Sequence, residues 1–249
     1  MLSSNTARTT VELRARLEQM ARRGPRSASG SCALRSGQAA LDALLPGGGW
    51  PLGALTELLT DHRGIGELEL LLPALQALTG SGRCLVWITP PYVPYAPALI
   101  QRGLPLERLL WIRAEGAQAA LWAAEQALRC PAIGAVLGWS EHIVDRSLRR
   151  LQLAAESGHT LGILHRPAAA ALAPSPAALR LQLQPLVDGL EVHIKKCRGG
   201  RADVRLRIPL RLSSPALQAA PATALRDCET RGSGTFDALA VHSSAGAAA

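Results

Sequence analysis

The chain has 249 residues, 48% of them hydrophobic, which is enough for one sizeable core and points to a single domain with loose ends. No apolar run reaches about 18 uninterrupted residues, and the N-terminus lacks an apolar leader core, so neither a membrane span nor a secretory signal is expected and the chain reads as cytoplasmic. Five cysteines, odd in number and without a C-x-x-C pair, argue against zinc or a disulfide framework and for isolated buried thiols.

A formal charge of +8 permits nucleic acid or an acidic protein as partner. Most of the basic residues are Arg in an Ala-rich chain, a bias that a GC-rich coding sequence also produces. With 5 Trp, 2 Tyr and 1 Phe there is little from which to build a base-stacking platform.

In chain order, Thr9 to Arg23 reads as a short helix with Val11, Leu13, Leu17 and Met20 apolar and Arg14, Arg16, Arg22 and Arg23 making a basic surface. Gly24-Pro25 ends it, and a Ser/Gly-rich linker runs to Ser31. Such a helix docks on a partner or packs on its own domain, and the sequence leaves both open. Ser36 to Leu45 reads as a second helix. From there strands (54–59, 83–89, 109–113, 132–138, 160–165) alternate with helices (66–78, 95–102, 116–129, 143–157). Apolar runs of strand length between helical segments imply parallel strands covered on both faces, hence an α/β domain with a mostly parallel sheet flanked by helices.

After the Ala/Pro spacer 167–176 the pattern changes. Residues 179–184, 190–196 and 204–210 read as antiparallel strands, the last two joined by the turn Arg198-Gly199-Gly200-Arg201 as a C-terminal β-ribbon. Leu190, Val192 and Ile194 alternate with Glu191, His193 and Lys195, as in a half-exposed edge ribbon. From Ser213 the composition turns to Ala, Ser, Thr, Gly and Pro, which reads as a disordered tail. The expected divisions are therefore 1–33, 34–212 and 213–249.

The most informative stretch is 45–72. A short apolar strand runs into the glycine loop Thr60-Asp61-His62-Arg63-Gly64-Ile65-Gly66 and then an apolar helix, the layout that places backbone N–H groups and a helix N-terminus around a phosphate. The phosphate-binding pattern G-x-x-x-x-G-K-[ST] needs Lys and a hydroxyl after its last Gly, but Glu67 and Leu68 stand there. A carboxylate repels a triphosphate by about 4 kcal/mol per charge pair at ~4 Å and an effective dielectric of about 20. Arg63 precedes the last Gly, where a loop does not aim it inward, and Asp61 adds a second negative charge.

The order of these parts resembles the RecA-like ATPase core and, more narrowly, the ImuA family of translesion-synthesis accessory proteins. The resemblance rests on LPGGGWPLGALTEL (45–58), GRCLVWITPPYVPYAPALIQRGLPLERLLWIRAE (82–115) and GLEVHIKKCRGGRADVRLRI (189–208). It implies two further acidic positions for hydrolysis, after the second strand and at the end of the next core strand. The sequence offers Thr89-Pro90-Pro91-Tyr92 and Gly138-Trp139-Ser140 there, with Glu141 the nearest acid. The expectation is a catalytically silent scaffold with no cofactor and no metal. ImuB, an error-prone replicative-type polymerase and RecA are its implied partners, and a DNA contact is left open. The alternatives are an ATP-dependent RecA-like DNA-binding protein and a cell-division inhibitor of the SulA type.

Of the remaining candidates, Glu141-His142 reads as a loop or helix cap, since no third ligand is in view. His159 and His165 flank a buried strand and are expected to satisfy backbone at its ends. The basic ribbon carries Lys195, Lys196, Arg198, Arg201, Arg205, Arg207 and Arg211 against Asp203. A solvated face, a nucleic-acid backbone contact and docking on an acidic partner are all compatible with it.

Overall fold

The computed structural model describes residues 13, 15–20, 33–210 and 238–241. Strands β1 (Ala33–Leu34) and β2 (Trp50–Pro51) form a small antiparallel pair ahead of the main sheet. Then come β3 (Ala54–Leu59), β4 (Cys84–Ile88), β5 (Leu109–Ala114), β6 (Ile133–Trp139) and β7 (Leu161–Arg166), the parallel centre of the molecule. Strand β8 (Leu179–Leu186) pairs parallel with β3, and β9 (Gly189–Cys197) and β10 (Val204–Pro209) continue antiparallel from it. At the other edge β11 (Ala238–Val241) pairs parallel with β5. Among the described residues the sheet order is β10-β9-β8-β3-β7-β6-β4-β5-β11.

Helices cover both faces because the central strands are apolar on both. Helix α1 (residues 15–20), α5 (Ala117–Arg129) and α6 (Asp145–Gly158) lie over one face, with Leu55, Val86, Ile112 and Leu164 pointing at them. The other face carries α2 (Ala39–Asp42), α3 (Glu67–Gly80) and α4 (Ala96–Gln101), which meet Leu58, Trp87, Leu137 and Ile163. The odd residues of β3 thus face one layer and its even residues the other, as a pleated strand requires.

The strand boundaries fall within two residues of those expected for β3 to β10. Two differences, and one question that the sequence left open, have local answers. The helix expected at Ser36–Leu45 is reduced to α2: the Asp42 carboxylate accepts the Ser36 N–H at 2.8 Å, and the chain then passes into a 3-10 turn at Pro46–Gly48. Helix α1 packs on its own domain, with Leu13 and Leu17 buried and the Leu17 carbonyl accepting the Cys130 thiol at 3.6 Å. The edge position in the ribbon belongs to β10 and not to β9, whose Leu190, Val192 and Ile194 are fully buried. The expected linker 24–31 and Arg211 lie outside the described residues, as does the expected tail except for β11. Among the described residues no helix is long and apolar enough to cross a membrane.

Candidate functional site

The carboxyl ends of β3, β4, β6 and β7 open into a crevice, the usual ligand position in a parallel α/β sheet. Its polar half encloses about 500 Å³ and is lined by Thr60, Asp61, Glu67, Ser140, Glu141 and Arg166. A contiguous apolar half of similar size runs between α3 and the β4–α4 loop, past Leu68, Leu72, Trp87, Pro91, Tyr92 and Val93. Both halves share Glu67, Trp139 and His165.

The glycine loop is shaped as the sequence suggests but is already occupied by its own side chain. Gly64 and Gly66 have φ of +69° and +108°, the left-handed region that favours glycine. Their N–H groups donate to the two oxygens of the Glu67 carboxylate, at 3.0 and 3.1 Å. A carboxylate therefore sits on the donors that an anion in this loop would use. Leu68, in the first turn of α3, lines the apolar half.

The other loop residues are committed locally. Thr60 accepts the His62 N–H through its hydroxyl, and Asp61 accepts the Ala168 N–H at 2.9 Å, which caps the 3-10 turn Ala168–Leu172. Arg63 reaches Glu141 at 3.5 Å across the mouth of the crevice, with both side chains more than half exposed. Among the described residues no group of His, Cys, Asp or Glu is placed to hold a metal ion. Cys130 is buried, Cys84 and Cys197 are half-buried, and burial pushes all three thiols up from their ordinary value.

His165 does not satisfy backbone at the end of its strand as expected. Its ring stacks on Trp139 at a centroid distance of 4.6 Å and 5° between planes, and Trp139 meets Trp87 edge-on at 6.3 Å. The Nε2 atom is buried without a hydrogen-bond partner. Burial lowers its pKa to about 4, opposed in part by the Glu67 carboxylate, so the ring is neutral near pH 7. His159 instead caps α6 in the left-handed conformation, and its carbonyl accepts from Arg83 at 3.1 Å.

Beneath the polar half lies a charge network that the sequence reading missed. Glu57, fully buried in β3, accepts from Arg166 at 2.9 Å, from Arg180 at 2.6 Å and from the Ser175 hydroxyl at 2.8 Å. Arg180 also donates to the carbonyls of Ala170 and Ala173, which fastens the 3-10 turn against β3 and β8. The signal was a lone carboxylate inside the apolar run ALTELL, with an Arg on each of two later strands that come to flank it.

The ribbon cations divide into two groups. Lys196 donates to the Ser175 carbonyl at 2.6 Å, Arg198 to the Pro176 carbonyl at 3.2 Å, and Arg205 pairs with Glu191 at 3.1 Å. Lys195, Arg201 and Arg207 stand exposed. Asp203, in the turn at φ +59°, bonds His193 Nε2 at 2.7 Å, and that contact holds its carboxyl below the usual range.

A family model described as "Cell division inhibitor SulA" matches residues 53–162, from just before β3 into β7. The proteins described as cell division inhibitor SulA from Yersinia pestis (strain Pestoides F) and Yersinia pseudotuberculosis serotype O:1b (strain IP 31758) are each 32% identical over 115 residues. Those matches cover 46% of this chain and 68% of each relative. The solved structure of SulA from Pseudomonas aeruginosa is 30% identical, covers 45% of this chain and 97% of that one, and superposes with a TM-score of 0.38.

The family model and the Yersinia relatives overturn the ImuA resemblance, and with it the role in translesion synthesis and the partners ImuB, error-prone polymerase, RecA and DNA. The cause is plain. Most of the residues that suggested ImuA, 54–58 and 82–115, lie inside the matched stretch. A strand, glycine loop and helix in that order is a property of α/β architecture that unrelated functions share.

Proposed function

Because the chain belongs to the SulA family, we propose that it inhibits cell division, and that it does so by binding and not by turning over a nucleotide. The observation that carries this reading is the apolar surface exposed within the matched stretch. Tyr92, Val93, Tyr95 and Ile100 are 58–68% exposed on the β4–α4 loop and α4, beside the apolar half of the crevice. Large apolar side chains gathered on one exposed rim mark a protein-binding surface. Glu67 supports the non-catalytic part, since it takes the loop N–H groups away from a phosphate. A cytoplasmic site of action belongs to the same proposal. So does the finer description of the core as RecA-like, supported by the strand, glycine loop and helix at 54–80.

FtsZ, the division partner of the SulA family, is the target to test. Expression of the full chain in dividing bacteria is expected to produce filaments, and the purified protein is expected to lower the light scattering of polymerising FtsZ. Replacing Tyr92 and Val93 together with Ser should abolish both effects while the fold, followed by circular dichroism, is kept. Normal cell length at high levels of folded protein, with FtsZ assembly unchanged, would refute the reading.

A further inference from the structure

The ribbon lies outside the stretch matched by the SulA family and has a surface of its own. Between Gly189 and Pro209 six cations (Lys195, Lys196, Arg198, Arg201, Arg205 and Arg207) stand against two carboxylates, Glu191 and Asp203. β10 closes one end of the sheet and, among the described residues, pairs on one side with β9. Among the described residues its outer edge thus carries backbone N–H and C=O groups with no strand beside them, a template for another chain. Side chains alternate along it. Arg205 and Arg207 stand exposed on one face, while Val204 and Leu206 pack half-buried against the core on the other.

We propose that the open edge of β10 is a docking edge for an extended acidic segment of a partner protein, which joins the sheet as a further strand. An incoming strand with acids on one face and apolar residues on the other meets Arg205 and Arg207 with the first and Val204 and Leu206 with the second. The single carboxylate of Glu191 bonds Arg205 and lies opposite Arg207 in register, so it serves two guanidinium groups and leaves positive charge over. Two copies of this chain are discouraged from pairing here, because their arginines would face one another, and Pro209 blunts the end of the strand. A polyanion of uniform charge fits less well. Glu191 and Asp203 lie among the cations, and Lys196, Arg198 and Arg205 are already bonded within the chain.

Fluorescence anisotropy on the full chain tests this, with a labelled peptide of alternating Glu and Val as probe at about 50 and about 200 mM salt. The parent chain should bind the peptide. The charge-reversed variant Arg205→Glu/Arg207→Glu should lose about tenfold or more and acquire affinity for the matching Lys-Val peptide. Arg207→Gln, a milder change at an exposed side chain, should weaken binding without affecting the fold. A Glu-Val peptide with alternate backbone amides N-methylated should bind about tenfold more weakly, since it keeps the charge and loses the edge hydrogen bonds. Equal binding of the N-methylated peptide would overturn strand addition. An unchanged affinity in both arginine variants would overturn the location. Preference for a DNA duplex over the peptide, with the same sensitivity to the arginine changes, would replace the acidic protein segment by nucleic acid.

Discussion

Replacing Glu57 by Gln removes one negative charge from a place that water does not reach. The parent carboxylate is fully buried and accepts from two guanidinium groups whose side chains are 7% exposed. The amide keeps the shape and a single acceptor, but it turns an NH2 toward one of the arginines and leaves both cations without a counter-charge. Breaking a buried ion network by removing one partner costs about 3–5 kcal/mol. For a domain of this size that corresponds to a fall in Tm of about 6–20 °C. Urea denaturation followed by circular dichroism measures the change directly, and Ser175→Ala serves as the control, losing about 1–2 kcal/mol with the hydroxyl's bonds to Glu57 and to the Ala177 N–H. Replacing Glu57, Arg166 and Arg180 together by Leu, Met and Met should recover most of the loss, because no stranded charge remains. The Ala170 and Ala173 carbonyls would still lack their donor. A Glu57→Gln variant within about 1 kcal/mol of the parent would refute the assignment of this network as a main fastening of the sheet.

Three other outcomes are expected. The folded pKa of His165, about 4, lies below its unfolded value of 6.5, so the unfolded chain takes up the proton first as pH falls. Stability should therefore be full above pH 6.5 and decline by roughly 3 kcal/mol toward pH 4, a decline that His165→Phe should flatten in denaturation curves. Glu67→Ala should free the Gly64 and Gly66 N–H groups and raise affinity for inorganic phosphate about tenfold or more by calorimetry; no gain would mean that the loop is not an anion cradle. Gly64→Ala, where a Cβ meets nothing within 4 Å, should cost about 1–2 kcal/mol for the left-handed backbone alone. Gly66→Ala, where a Cβ would lie 2.1 Å from Leu210 Cδ1, should cost about 1 kcal/mol more than that, and equal costs for the two would mean that the leucine side chain turns aside freely.

Much of the parallel sheet was legible because its strands announce themselves. Residues 54–59 are an apolar run between two glycine turns, and the structure ends the strand at the residues expected. Residues 190–194 alternate and form a strand, yet alternation did not show that His193 would be buried as well, its ring held by Asp203. What escaped were contacts between residues far apart in the chain. Glu57 meets partners 109 and 123 positions later, and no local pattern brings them together. Glu67 could be picked out from the sequence as a carboxylate where a phosphate loop has Lys, but its bonds to Gly64 and Gly66 depend on the loop closing over the first turn of α3. The family was misread for a different reason: the quoted residues describe a scaffold, and scaffolds are shared more widely than functions.

The packing of Leu210 on Gly66 is one of the points at which the ribbon meets the rest of the core that both share. Leu210 leaves the last strand of the ribbon, and Gly66 closes the loop of the stretch shared with the division inhibitors. Without a Cβ at Gly66 the leucine side chain can lie close over the backbone there. A side chain at position 66 would have to displace that leucine from the space over the loop, so the glycine there serves the seating of the ribbon as well as the left-handed turn.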